Sequence, residues 1–318
     1  MATPNLNDIH DTLIDLAYKA GDIINNALPD ISGPGSKKNS ADLVTEYDRA
    51  VETMISTSLK EKYPDYAPTP PPLTPTYYTL TFILTLGSNM LSPASTAKKP
   101  TPQQPPLTNA PTFIIDPIDG TINFIHNFPH ACVSLGFAIN KIPTVGIVYN
   151  PSTKTLYSAI KGQGAFKNQS RDNSQRERLP LRKPEPLTGL SNALLAIEWG
   201  SDRSGPNWTV KTRTFEKLGA SKEDGGAMVR SFRSLGSAAL NICAVAEGVV
   251  DVYWEGGLLG VGCLCWAGGL VVDGNPGRWE DEVSLDGRRY LVIRGAEEKG
   301  QREIVEEFWG FIQGRLTY

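Results

Sequence analysis

Two carboxylates lie close together in this chain, Asp116 and Asp119, directly after the apolar run Phe113–Ile115. The run reads as a short buried strand. Pro117 lacks an N–H for a sheet ladder, so the strand is expected to stop at Asp116-Pro117. Ile118 then offers a main-chain carbonyl between the two acids. Gly120 lets the backbone approach a ligand closely, and Thr121 adds a hydroxyl. Hard oxygen donors at a strand end suit Mg²⁺, which takes few carboxylates, keeps water and favours phosphate oxygens as its other ligands.

Asp-Pro-Ile-Asp alone is also simply a good turn. The longer string is more specific: Asp116-Pro-Ile-Asp-Gly-Thr-Ile-Asn-Phe124, then Ile125-His-Asn-Phe-Pro129 and Val133-Ser-Leu-Gly136. It resembles the signature of the inositol monophosphatase family of Mg²⁺-dependent, Li⁺-sensitive phosphatases. The resemblance implies an α/β fold, a layered αβαβα sandwich of the inositol monophosphatase/fructose-1,6-bisphosphatase type. It implies one unit over 1–318 that hydrolyses inositol monophosphate with Mg²⁺. Asp116 would bridge metals, Ile118 would give its carbonyl, and Asp119 would bind metal and a substrate hydroxyl. Gly120 would line the substrate, and Thr121 would also help hold the attacking water.

The elements that must position these groups follow from patterning. Asn7 is placed to cap a first helix, with Ile9, Leu13, Leu16, Ala17, Ala20, Ile23 and Ile24 at helical spacing and Pro29 beyond its end. The loop Gly33–Ser40 carries Lys37 and Lys38; by resemblance Lys37 is the lysine near the phosphate. Thr45 with Asp48 forms an acidic variant of the capping box at the head of a second helix, whose stripe is Val51, Met54, Ile55 and Leu59. By resemblance Asp48 also lies near the metal and shares in catalysis. Cys132–Ile139, Val145–Tyr149, Leu156–Ile160 and Ala193–Trp199 read as strands, Ser170–Arg178 as a charged loop, and Thr209–Leu218 as a helix. Gly236-Ser237 reads as the entry to a helix that Gly248 ends. A helix start there packs well with small residues, and its free N–H groups also receive phosphate or polyol oxygens. The resemblance assigns Gly236, Ser237 and Ala238 to substrate. Asp251–Gly256 reads as a strand, and the resemblance gives its Glu255 to the inositol. Tyr290–Arg294 is a last strand and Glu297–Leu316 a last helix.

Two stretches depart from the family. Residues 67–106 are proline-rich and low in complexity, and read as a non-family insert. The Gly-Glu-Glu-Thr motif, whose first Glu would bind metal, is missing there. Residues 258–266 lack the Trp-Asp whose Asp would be another ligand. Both gaps have the form of a shifted reading frame. With codons TTC CAC GGC GAA GAA ACC TAC A, the peptide Phe-His-Gly-Glu-Glu-Thr-Tyr read one base later becomes Ser-Thr-Ala-Lys-Lys-Pro-Thr, which is Ser95–Thr101. With TGG GCG TGG GAT GTT TGT GCT GG, Trp-Ala-Trp-Asp-Val-Cys-Ala read two bases later becomes Gly-Val-Gly-Cys-Leu-Cys-Trp, residues 260–266. The hypothesis is that 67 to about 94 is translated intron and that exon resumes out of frame, recovering near Leu107. Lys98 and Gly262 then occupy the slots of the two missing acids. Genomic DNA lacking these codons in the other frames would sink the idea.

Composition supports a soluble globular chain: 318 residues, 40% hydrophobic, 20% charged, net charge −3. Nothing in it indicates nucleic-acid or membrane binding. Four scattered cysteines (Cys132, Cys243, Cys263, Cys265) argue against a disulfide framework and for a reducing cytoplasm. A polar first segment is not a signal peptide, and the apolar run Leu80–Leu86 is too short to span a bilayer. Family members are commonly homodimers. The alternatives are a related sugar or nucleotide phosphatase, fungal quinate-pathway relatives included, and a non-catalytic phosphate-binding scaffold. The Ile-Asn-Phe and Gly-Ser-Ala-Ala details favour inositol monophosphate.

Overall fold

The computed structural model describes residues 4–27, 46–64, 109–172, 174–200, 202–256, 267–281, 283, 285 and 289–317, with Ile83 and Leu84 described by their backbone. Lys37, Lys38, Thr45, Lys98, Gly262, Cys263, Cys265 and the rest of the proline-rich stretch lie outside the described residues, as does Pro29.

The chain begins with α1 (Leu6–Asn25) and α2 (Glu46–Lys62). The cap of α1 is Asn5 rather than Asn7: Asn5 Oδ1 accepts from the N–H groups of Asn7 (3.1 Å) and Asp8 (3.3 Å). A cap must precede the first helical turn to reach its free donors, and Asn7 already lies inside that turn. Both helices bury one stripe, Ile9, Leu13, Leu16 and Ala20 on α1 and Val51, Ile55 and Leu59 on α2.

Among the described residues the strands form two sheets. The first runs in order from β1 (Ile83–Leu84) through β2 (Thr112–Asp119), β3 (Cys132–Ile139), β4 (Ile142–Asn150), β5 (Thr155–Ile160) and β6 (Gly164–Asn168) to β7 (Arg176–Arg178). It is antiparallel throughout, except that β1 lies parallel to β2. Strand alternation explains how one sheet serves two layers. Val133, Leu135, Phe137, Val145 and Ile147 face α1 and α2, whereas Cys132, Val148, Tyr157 and Ala159 face the other way. The expected charged loop Ser170–Arg178 in fact ends in the exposed edge strand β7. Arg and Glu side chains suit an edge because charge there discourages pairing with another chain.

The second sheet has the order β11 (Leu270–Val272), β12 (Arg289–Ile293), β10 (Val252–Gly256), β8 (Leu194–Ile197), β9 (Ser231–Arg233). β9, β8 and β10 are parallel, and β12 is antiparallel to both β10 and β11. The chain leaves β8 for β9 through α4 (Gly205–Gly219) and crosses back to β10 through α5 (Ala238–Glu247). α4 packs in the outer core with α6 (Glu298–Phe311), and α5 lies between the two sheets. The layers are therefore α1/α2, sheet, α5, sheet, α4/α6, as expected. The last helix stops at Phe311, short of the expected Leu316. Such a crossing of the strand order opens a crevice at the carboxyl ends of the parallel strands, where ligands of open α/β sheets bind.

Strand β2 does not end at the proline. It continues through Pro117 to Asp119, with a break in register: Asp116 pairs with Ser134 and Asp119 with Cys132. An extra residue on one strand makes a bulge, and a bulge tolerates a residue with no N–H to give. The consequence for the site is direct, because the bulge lies between the two acids.

Phe113 holds β2 in place. It is fully buried, with the Phe137 ring 4.8 Å away and Tyr63 of the α2 terminus 5.6 Å away. Phe113→Ala is expected to cost roughly 3–5 kcal/mol in urea unfolding. A loss below about 1 kcal/mol would contradict this packing.

Candidate active site

After Asp119 the chain turns at Gly120 and enters the short helix α3 (Thr121–Ile125). Gly120 has φ +89°, and a Cβ there would lie 2.8 Å from the His130 carbonyl oxygen and 3.1 Å from that of Gly236. Gly236 has φ +80°, and a Cβ there would lie 2.9 Å from Asn123 Nδ2. The two glycines let the DGT turn and the turn before α5 interlock. Asn123 fastens them, donating through Nδ2 to the carbonyls of His130 (2.7 Å) and Leu235 (2.6 Å).

Asp119 reaches across this junction. Its Oδ2 accepts from Ser237 Oγ–H and from Ala239 N–H, each at 2.7 Å, and the Ala238 N–H also acts on the carboxylate. Ser237 is the N-cap of α5, and its Oγ accepts from Leu240 N–H (3.3 Å). The free N–H groups expected to meet a phosphate or polyol thus meet a carboxylate of the chain itself. The helix dipole favours that charge. Burial still raises the Asp119 carboxyl above its ordinary range, and the charge of Glu198 adds to this, against the lowering by Ser237, Ala239 and Ala238.

Asp116 is buried, and its Oδ1 has no hydrogen-bond partner among the described residues. Burial pushes its carboxyl well above the usual carboxylate range, and the charges of Asp119 and Asp48 push the same way. Asp48 is itself buried on α2, and after burial its charge also raises Glu52 one turn on. Ile118 gives its carbonyl to the Thr121 hydroxyl at 3.0 Å. Asp116, Asp119, Asp48, Ile118, Gly120, Thr121, Gly236, Ser237 and Ala238 thus belong to one locality.

Glu255 is linked to this locality through Tyr253. At the end of β10 it is fully buried, with Oε2 accepting from Tyr253 O–H (2.8 Å) and Oε1 3.5 Å from Lys211 Nζ. Lys211, also buried, donates to the Trp199 carbonyl at 3.3 Å. Burial pushes the Tyr253 hydroxyl well up, and the charges of Glu255, Glu198 and Asp119 add to that, so this phenol lies between the two acidic groups.

Three of these residues escaped the sequence reading. Lys211 falls at helical spacing with Thr214 and Leu218 on the buried face of α4, a position where a lysine needs a partner. Glu198 follows the apolar strand β8 just as Glu255 ends the apolar run of β10. Asn123 lies within the quoted motif but was given no role.

A cation test follows from these groups. Among the described residues no three His, Cys, Asp or Glu side chains are grouped to hold a metal ion. The orphaned Asp116 Oδ1 and the mutual repulsion of Asp116, Asp119 and Asp48 are nonetheless what a divalent cation relieves. Mg²⁺ needs only one or two protein carboxylates. The residues present fit half of a site.

The folded state binds the Asp116 proton more tightly than the unfolded chain. That stability is present below about pH 4 and is lost as pH rises through the raised folded-state value. Asp116→Asn should therefore raise the melting temperature of metal-free protein at pH 8 by at least about 2 °C. An unchanged or lower melting temperature at pH 8 would contradict the burial argument.

The sequence profile described as the Inositol monophosphatase family matches residues 86–311. Inositol monophosphatase 2 of Saccharomyces cerevisiae is 37% identical over 330 residues, covering 98% of this chain and 98% of the yeast protein. Protein qutG of Emericella nidulans is 35% identical over 337 residues, covering 96% and 93%. Among solved structures, an IMPase of Thermotoga maritima superposes with a TM-score of 0.64 at 25% identity, covering 95% of this chain and 99% of that one. With the layered fold and the Asp116–Asp119 turn in place, these likenesses show that the chain belongs to the inositol monophosphatase family and, by that resemblance, is a phosphatase.

Proposed function

We propose that this chain is built to hydrolyse inositol monophosphate with Mg²⁺, and that the polypeptide as written is strongly impaired. The observation that carries the first half is the buried Asp116 Oδ1, without a partner among the described residues, beside Asp119 and Asp48. An isolated buried carboxylate oxygen is costly, and a resident cation is the ordinary compensation. Asp116 and Asp119 would hold the ion, with the Ile118 carbonyl beside them. Bound there, Mg²⁺ would supply polarisation of a phosphate, activation of water at neutral pH and charge neutralisation for the leaving alkoxide.

The chain's own groups supply position. Ser237, Ala238 and Ala239 fix Asp119, so its carboxylate does not swing when substrate enters. Thr121, tied to the Ile118 carbonyl, keeps the turn closed over the strand end and has a hydroxyl available to orient water. Glu255, paired with Lys211 and Tyr253, is a fixed acceptor at the end of β10 for a polyol hydroxyl once substrate draws it away from one partner. Lys37 is the proposed phosphate contact from the loop before α2.

The second half rests on sequence. Lys98 and Gly262 stand where the family resemblance places acids, so two anionic donors are missing and one slot carries a positive charge. Mg²⁺ affinity depends on the number and charge of such ligands. Among the described residues no helix is long and apolar enough to cross a membrane. Placement in the cytoplasm and a homodimer, readable by light scattering, belong to the same proposal.

The test is phosphate release by the full chain with Mg²⁺, across inositol monophosphate, a sugar bisphosphate and a nucleoside bisphosphate. It is run beside a chain in which 95–101 and 260–266 carry the in-frame peptides. The in-frame chain should prefer inositol monophosphate, show Li⁺ inhibition and exceed the chain as written by at least about tenfold. Equal rates would overturn the impairment. Preference for another ester would overturn the substrate.

A further inference from the structure

We infer that Glu198 is a positioning residue for the candidate site: it sets the turn before α5 so that Ser237 and Ala239 meet Asp119. The inference rests on the proposed function only for its metal-binding consequence; the geometry stands without it.

Glu198 follows β8 and is almost fully buried. Its Oε1 accepts from Leu235 N–H (2.8 Å), Gly236 N–H (2.9 Å) and Asn241 Nδ2 (2.7 Å). Its Oε2 accepts from Ser234 Oγ–H (3.2 Å). Four donors from one stretch, 234–241, therefore converge on one side chain from a different strand.

The Leu235 residue is gripped at both ends, its N–H by Glu198 and its carbonyl by Asn123. Asn123 belongs to the helix after the Asp119 turn, so the two side chains clamp the 234–237 turn between the two sheets. Gly236 occupies its left-handed conformation inside that clamp. Ser237 then caps α5 and, with Ala239, holds Asp119. Removing the Glu198 acceptor would leave two main-chain N–H groups and the buried Asn241 amide without their partner, and the turn would re-form to satisfy them.

Geometry and charge can be separated. In Glu198→Gln, Oε1 still accepts from the same three donors, and Nε2 can donate to Ser234 Oγ. Every bond keeps a partner while the charge is gone. Glu198→Ala removes the acceptor altogether.

The experiment is amide hydrogen exchange on the full chain, comparing Ala239 with Val245 and Ala246 later in α5, together with calorimetric Mg²⁺ titration. Glu198→Ala should speed exchange at Ala239 by at least about tenfold, with Val245 and Ala246 unchanged, because only the start of the helix is released. It should weaken Mg²⁺ binding by about 10–100-fold, the usual effect of removing a group that orients a ligand. Glu198→Gln should stay within about twofold of the unaltered chain on both readouts. If Glu198→Ala fails to fold, Glu198→Asp serves, since it keeps the charge but draws the acceptor back by one methylene, and it should release Ala239.

Unchanged exchange at Ala239, or equal acceleration along all of α5, overturns the inference. So does a Gln variant as damaged as the Ala variant. Absence of Mg²⁺ binding by the unaltered chain counts against the proposed function alone, and the exchange data then decide the role of Glu198.

Discussion

Asp119 lies at the end of one sheet with Oδ2 held at 2.7 Å by both Ser237 and Ala239, at the head of the helix that separates the two sheets. This contact joins residues 118 and 120 positions apart in the chain. Around it each layer has a task. The bulge in β2 presents Asp119 at the sheet's end, and the packing of Phe113 and the α1/α2 layer holds β2 in place. Small residues on α5 let the helix fit between the sheets. Gly120 and Gly236 let the two turns come close enough for the contact to form.

The same arrangement concentrates cost. Asp116, Asp119 and Asp48 are all buried, and each disfavours the charge of another. Other acids among the described residues are paired: buried Glu247 with Lys167 and Tyr157, buried Glu255 with Lys211, and half-buried Asp251 with Arg294. Asp116 Oδ1 has no such partner among the described residues. Unpaired charge in a core is expensive, and a fold retains it where function compensates. The contrast between these acids and the Asp116 Oδ1 atom picks out the site more sharply than acidity does. Glu198 belongs with the paired set, since its charge is spent on the donors of a turn.

Much of this was legible in the sequence. The apolar periods of α1, α2 and α6 and the strand Cys132–Ile139 could be read because packing and propensity agree there. The motif from Asp116 to Phe124 located the turn, and its likeness to a family supplied the layers. The strand end at Pro117 could not be read correctly, because whether a proline stops a strand or sits in a bulge depends on the neighbouring strand. Glu198 and Lys211 were hidden for a related reason. A lone acid or lysine after an apolar run looks solvated until the segment it meets is known, and their partners lie at least 12 residues away in the chain. The α5 start reads from sequence as a place for phosphate or polyol oxygens, and two of its donors, Ser237 Oγ–H and Ala239 N–H, hold Asp119.

The most direct test of the account is calorimetric titration of Mg²⁺ into the full chain, into Asp116→Asn, and into the double variant Lys98→Glu with Gly262→Asp. A half-site centred on Asp116 predicts weak saturable binding by the chain as written, its loss in Asp116→Asn, and at least about tenfold tighter binding in the double variant. Binding that survives Asp116→Asn unchanged, or that fails to tighten when the two acids are supplied, would contradict it.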